Sequence, residues 1–192
     1  WPNDRKVAVN VSPLQLTQID LPAIIHQTLL DSGLSPHRLE IELTETAILE
    51  DRDRSLHVLR QIKSLGVKVA LDDFGTGYSS LEILRSFPFD KIKLDRFFMS
   101  EIESSRESKA LVRSVLSIGQ SLSIPILAEG VENETQLSIL RSEGCDEVQG
   151  FLLGRPLPMG SFSHEDNLQE RFVDKPAPTD LLLAEKKTRR SA

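Results

Sequence analysis

Apolar and polar residues alternate with a period of two in six short segments, and a stretch with helical spacing follows most of them. The segments are 6–12, 38–44, 67–74, 91–95, 124–129 and 147–151. In the first, Val7, Val9 and Val11 share one parity, while Ala8, Asn10 and Ser12 share the other. Leu39, Ile41 and Leu43 likewise oppose Glu40, Glu42 and Thr44, and Val67, Val69 and Leu71 oppose Lys68, Ala70 and Asp72. Ile92 and Leu94 oppose Lys91, Lys93 and Asp95; Ile124, Ile126 and Ala128 oppose Leu127 and Glu129; Val148 opposes Glu147 and Gln149. Successive strand side chains point to opposite faces, so the apolar parity is expected under helices and the other parity on a common side.

The helical stretches carry their own punctuation. Asp20 predicts an N-cap, Leu21, Ile24, Ile25, Thr28 and Leu29 share a face, and Gly33 predicts the end of that helix. Leu56, Leu59, Ile62 and Leu65 predict a second helix stopping at Gly66, and residues 80–87 a third before Pro88. Ala110, Leu111, Val115 and Ile118 mark a fourth. Asn133 and Gln136 predict a capping box for a fifth, which carries Leu137 and Leu140 and ends at Gly144.

Strands alternating with helices imply βαβ units and a parallel sheet. A closed eight-stranded β/α barrel typically takes about 250 residues, whereas this chain has 192 and begins almost on a strand. Two readings follow: an open sheet, or a barrel with two strands upstream of Trp1. The pattern fades beyond residue 160, which predicts one domain over 1–160 and a polar segment over 161–192 with a short helix near 181–185.

The polar parity carries the candidate chemistry. Asn10, Glu42, Asp72, Lys93, Glu129 and Gln149 all fall near the C-terminal ends of their segments, the edge where parallel α/β folds bind ligands. One such charge alone reads as a solvated surface residue; six at one edge read as a site. Glu42, Glu45, Asp72, Asp73, Glu129 and Glu132 face a single obvious cation, Lys93. Crowded carboxylates repel unless a cation neutralises them. An all-oxygen set of Asn, Glu and Asp suits Mg²⁺ or Mn²⁺, and paired ions about 3.5–4 Å apart are a common device for in-line phosphoryl displacement.

Composition narrows the classes. Apolar residues make up 39% and charged ones 27%, enough for a core. Lys plus Arg number 23 against 29 Asp plus Glu, a net charge of −6, which argues against duplex DNA as a partner. The one cysteine, Cys145, forms no internal disulfide, and no Cys/His cluster has zinc-ligand spacing. A cytoplasmic setting is expected, with no membrane span or signal peptide in this stretch and any anchor lying outside it. Phe74, Phe87, Phe97 and Phe98 are expected in the core or as loop anchors, Cys145 as an inert packed thiol, and His26, His37, His57 and His164 at the surface.

The loop Asp73-Phe74-Gly75-Thr76-Gly77-Tyr78-Ser79-Ser80 follows the third segment. Gly75 and Gly77 open backbone conformations closed to other residues, and the serines can cap a helix. It is no P-loop, since no Gly-Lys-Ser/Thr follows, and its Asp-Phe-Gly lacks the other protein-kinase elements.

Residues 72–81 strongly resemble the signature loop of EAL domains, bacterial phosphodiesterases of cyclic di-GMP. The resemblance continues through Val9-Asn10-Val11-Ser12, Glu42-Leu43-Thr44-Glu45, Lys91-Ile92-Lys93-Leu94-Asp95, Ala128-Glu129-Gly130-Val131-Glu132, Val148-Gln149-Gly150-Phe151 and Gly154-Arg155-Pro156-Leu157. It covers about residues 5–160, in order and at family-like spacing. It implies a TIM-like barrel that hydrolyses cyclic di-GMP to linear pGpG with two Mg²⁺ or Mn²⁺ ions. By that resemblance Asn10, Glu42 and Asp72 bind metal, Asp72 bridging and Asp73 on the second ion. Lys93 touches the attacking water or the phosphate, and Glu129 is the general base. Glu132 and Gln149 support the water network or the nucleotide. Glu45 holds the loop containing Gly75, Thr76, Gly77 and Ser79. Asp95 orients Lys93 or makes a structural salt bridge. A homodimer and an upstream sensor or GGDEF-type domain are further expectations. The Glu-Ala-Leu motif that names the family, and the arginine near it, are absent from these residues and are expected before Trp1. Without them a metal ligand is missing, so this stretch alone is expected to be impaired. The alternative function is a non-catalytic receptor that binds cyclic di-GMP.

Overall fold

The computed structural model describes residues 5–75 and 81–158. Among the described residues there are six strands: β1 (Val7–Asn10), β2 (Leu39–Thr44), β3 (Lys68–Phe74), β4 (Lys91–Leu94), β5 (Ile126–Ala128) and β6 (Glu147–Val148). They form one parallel sheet in the order β1-β2-β3-β4-β5-β6. A doubly wound sheet reverses its order at a switch point; this one never does. Each crossover advances to the next strand, the connectivity of a β/α barrel, and the six strands form an arc of one.

Eight α-helices among the described residues connect or flank the strands: α1 (Pro13–Gln18), α2 (Leu21–Ser32), α3 (Glu45–Leu49), α4 (Arg52–Ser64), α5 (Leu81–Ser86), α6 (Phe97–Glu101), α7 (Arg106–Leu122) and α8 (Glu134–Glu143). The five expected helices correspond to α2, α4, α5, α7 and α8. Asp20 caps α2 by accepting from Ala23 N, and Gly33 ends it in the left-handed region at φ 66°. The helices α1, α3 and α6 have five or six residues each, too few turns for a 3.6-residue period to register. Ser12 and Gln15 make the reciprocal capping box of α1. The box expected at α8 is only half formed: Asn133 accepts from Gln136 N, but the Gln136 side chain accepts from Glu132 N instead of the cap residue.

The core lies between strands and helices. Ile41, Leu43, Val69, Leu71, Ile92, Leu94 and Ile126 are buried against Leu59 and Ile62 of α4 and Val112 and Leu116 of α7, and each such aliphatic side chain contributes roughly 1.5–3 kcal/mol by leaving water. Helix α7 carries Gly119 where it lies closest to the sheet: a Cβ there would stand 2.5 Å from Ile126 Cγ1. Along β1 the apolar parity is not covered, and Val9 is 43% exposed. The strands end sooner than their alternation suggests. Segment 124–129 yields only Ile126–Ala128 and segment 147–151 only Glu147–Val148, because Pro125 has no N–H for a ladder and Gly150 packs on the Val131 backbone.

Residues 76–80 and 159–192 lie outside the described residues, and with them Thr76, Gly77, Tyr78, Ser79, Ser80, His164, the expected helix near 181–185 and the boundary at 160.

Candidate active site

Register brings the polar parity to one end of the sheet. Asn10 is the β1 partner of Glu42, and Asp72 lies opposite Thr44, two residues further along β2. Lys93 pairs with Leu127, and Glu129 follows on the same parity, its N–H donating to Leu94 O at 3.0 Å. Paired positions on adjacent parallel strands share a face, so five separate segments place their polar parity on one face.

Lys93 occupies its centre. Nζ lies 2.8 Å from Glu129 Oε1, 2.9 Å from Glu42 Oε2 and 3.2 Å from Asp72 Oδ2. The lysine is 6% exposed, and Glu42 is also buried. These charges are therefore internal, contrary to the solvated reading that suits any one alone. Burial by itself would lower the Lys93 pKa, but hydrogen bonds to Glu129 and Glu42, with the nearby Asp72 charge, raise it above the usual lysine value. The ammonium is a fixed positive charge at any physiological pH.

Acid still exceeds base. Asp73 has left-handed backbone geometry, φ 54°, and its N–H donates to Asp72 Oδ1 at 3.0 Å. Burial, reinforced by the charges of Asp72, Asp95 and Glu129, pushes its carboxyl above the ordinary aspartate range. Asp95 departs from both roles expected of it. Its Oδ1 accepts from Phe97 N at 2.7 Å at the start of α6, and its carboxylate also reaches Asp73; the described ion pairs of Lys93 are with the other three acids.

Glu45 is buried in the first turn of α3. Glu132 and Gln149 are exposed at the rim, Glu132 with its N–H on Gln136 Oε1 at 2.7 Å, and Gln149 bonded through its backbone to Ala128 O and Val131 N. Gly75, φ 97°, needs to be glycine: a Cβ would stand 2.6 Å from the Phe98 ring. Phe74, Phe87 and Phe98 are buried as expected, whereas Phe97 is 61% exposed because its place on the five-residue α6 faces solvent. Cys145 is half-buried, burial pushes its thiol up to about 11, and Sγ donates to Glu147 O; it is inert at neutral pH. His26, His37 and His57 are exposed.

Among the described residues, no three Asp, Glu, His or Cys side chains ring a common cation position. The acids are turned instead towards the ammonium. The donor set of Asn10, Glu42, Asp72 and Asp73 is nonetheless all oxygen, matching hard divalent cations. A dication at Glu42 and Asp72 would compete with Lys93 for both.

The sequence profile of the EAL domain matches residues 1–156. A curated relative from Pseudomonas aeruginosa, the bifunctional diguanylate cyclase/cyclic di-GMP phosphodiesterase MucR, is 42% identical over 155 residues, 81% of this chain and 23% of that protein. The structure of the MucR phosphodiesterase in complex with cyclic di-GMP superposes with TM-score 0.79 at 41% identity, covering 83% of this chain and 64% of that one. The Klebsiella pneumoniae protein BlrP1 with manganese and cyclic di-GMP gives TM-score 0.76 at 38% identity, covering 81% and 40%. The chain spans about a fifth of the length of the curated relatives it matches.

Proposed function

The chain belongs to the EAL domain family, and from that premise we propose that it is the metal-dependent phosphodiesterase part of a larger protein, hydrolysing cyclic di-GMP to linear pGpG. The observation that carries this reading is the convergence of Glu42, Asp72 and Glu129 on buried Lys93 at the ligand-binding end of a barrel sheet. Its support from outside the chain is the likeness to proteins whose structures hold cyclic di-GMP, one of them with manganese.

Asn10, Glu42, Asp72 and Asp73 would hold two divalent ions, Mg²⁺ or Mn²⁺. When bound, such ions neutralise phosphate charge and lower the pKa of a coordinated water. Lys93 stays protonated, so it acts as a cation: it draws a phosphate oxygen into the site and holds Glu129 in place. Glu129, the most exposed of the three acids around Lys93, takes the proton of the attacking water. Water oxygen bonds to phosphorus as one P–O3′ ester bond breaks, and the proton goes to the leaving 3′ oxygen. Glu45 braces the loop entered at Gly75, while Glu132 and Gln149 shape the rim. A homodimer and a GGDEF-type or sensor domain elsewhere in the parent chain belong to the same proposal; the cyclase named in bifunctional MucR supports the GGDEF-type domain alone. Among the described residues no helix is long and apolar enough to cross a membrane.

Incubating the purified full-length protein with cyclic di-GMP and Mg²⁺ or Mn²⁺, and separating products by chromatography, tests this. Linear pGpG is expected, abolished by EDTA and by Asp72→Asn. Tight binding of intact nucleotide without cleavage would replace the enzyme with the receptor reading, and neither binding nor cleavage would end both.

A further inference from the structure

Gln136 lies on α8 behind the rim and makes no described side-chain bond to Glu42, Asp72 or Glu129. It is 7% exposed, and its side-chain hydrogen bonds reach backbone groups outside α8. Oε1 accepts from Glu132 N at 2.7 Å and Nε2 donates to Met99 O at 3.0 Å. Met99 O is among the last carbonyls of α6, which have no partner within their own helix; Glu132 N is the amide just before the α8 cap. One buried amide therefore satisfies two orphan groups, one on each of two neighbouring connections.

Those two connections carry the chemistry. One leaves Lys93 through Asp95 into α6, and the other leaves Glu129 through Gly130 to Glu132. They touch at a second point, where Gly130, φ 75°, approaches so closely that a Cβ would stand 2.5 Å from Arg96 Cβ. On its far side the second connection is fixed by Val131, which donates to Gln149 O and accepts from Leu152 N, both at 3.0 Å. Glu129 thus hangs between two clamps, and Gln136 closes the one facing Lys93.

We propose that Gln136 is a positioning residue that sets the Glu129–Lys93 contact by joining the two loops. The proposal rests on the phosphodiesterase reading for its kinetic consequence only; the coupling of the loops stands apart from it. A misplacement of about 1 Å in a reacting group costs up to roughly 100-fold in rate, so a small slackening here is visible.

The test uses the full-length protein as Gln136→Leu, Gln136→Glu and, as a matched core control on the same helix, Leu137→Val. Hydrogen exchange is expected to rise in Gln136→Leu across 96–101 and 129–134, with β3 unchanged. The kcat is expected to fall roughly 10- to 100-fold with KM little altered. Gln136→Glu keeps the acceptor for Glu132 N but sets a carboxylate against Met99 O, so it should restore neither. Unchanged exchange in both segments overturns the proposal, as does a kcat loss in Leu137→Val equal to that of Gln136→Leu at equal melting temperature. A wild type that does not cleave cyclic di-GMP sinks the function while the exchange measurements still decide the coupling.

Discussion

Two lysines, two residues apart on β4, sit in successive layers inside the arc and meet different company. Lys91 in the lower layer is paired with Glu147 at 2.7 Å and Glu40 at 3.6 Å. Beside it Asp90 is held by Lys63 at 2.8 Å, Lys68 at 2.9 Å and the amide of Val69 at 3.0 Å. Three cations thus face three carboxylates. Lys93 in the upper layer faces Glu42, Asp72 and Glu129, with Asp73 and Asp95 close by: one cation against five carboxylates. The lower end is charge-balanced. The upper end holds an excess of acid, which fits the cation-binding role proposed for it.

Replacing each lysine by methionine sharpens that contrast most. Lys93→Met and Lys91→Met both strand buried carboxylates, and each should cost about 3 kcal/mol in denaturant titration. Only Lys93→Met should also remove phosphodiesterase turnover, by at least ~100-fold; equal kinetic losses in both would erase the distinction between layers. Next comes cation addition. Mn²⁺ at about 100 times its Kd should stabilise the wild type by ~2.7 kcal/mol, seen as a rise in melting temperature. The rise should vanish in Glu42→Gln and persist in Lys91→Met.

The lower layer has its own signature. Asp90 is half-buried, and hydrogen bonds from Lys63, Val69 and Lys68 outweigh desolvation and hold its carboxyl below the ordinary aspartate value. A depressed folded-state pKa means its stabilisation is full above the unfolded carboxylate range and lost as pH falls through the folded value. Asp90→Asn should therefore cost about 1–2 kcal/mol at neutral pH and flatten the acid limb of the melting-temperature profile. The smallest effect has the opposite sign. Asp73 is raised by burial and like charge, so at neutral pH its ionisation opposes folding. Asparagine also tolerates φ 54° well. Asp73→Asn should melt slightly higher than wild type without added metal, by up to ~0.5 kcal/mol.

Much of this architecture was legible in the alternation along the chain. The six strands and five of the helices follow from spacing and from punctuation such as Asp20, Gly33 and Pro88, and the convergence of Glu42, Asp72, Lys93 and Glu129 follows from parity. What parity does not supply is depth. Glu40 and Lys91 alternate as Glu42 and Lys93 do, and only the fold distinguishes the pair that meets Glu147 below from the one that meets Asp72 above. The pairing could have been suspected from Glu40-x-Glu42 and Lys91-x-Lys93 in two strands of one sheet, where burial requires partners. Whether the sheet was open or barrel-like needed the strand order. Gln136 reads in sequence as a helix cap, and its link to Met99 lies 37 positions away, beyond any local pattern.

Gly119 on α7 ties the outside of the molecule to its inside. A glycine within a helix gives up about 1 kcal/mol relative to alanine, and here the missing side chain lets α7 settle directly onto Ile126. Ile126 opens the strand that delivers Glu129. The seating depth of a surface helix therefore gauges where a carboxylate stands in the pocket, and a single methyl group added on that helix would be felt at the opposite end of β5.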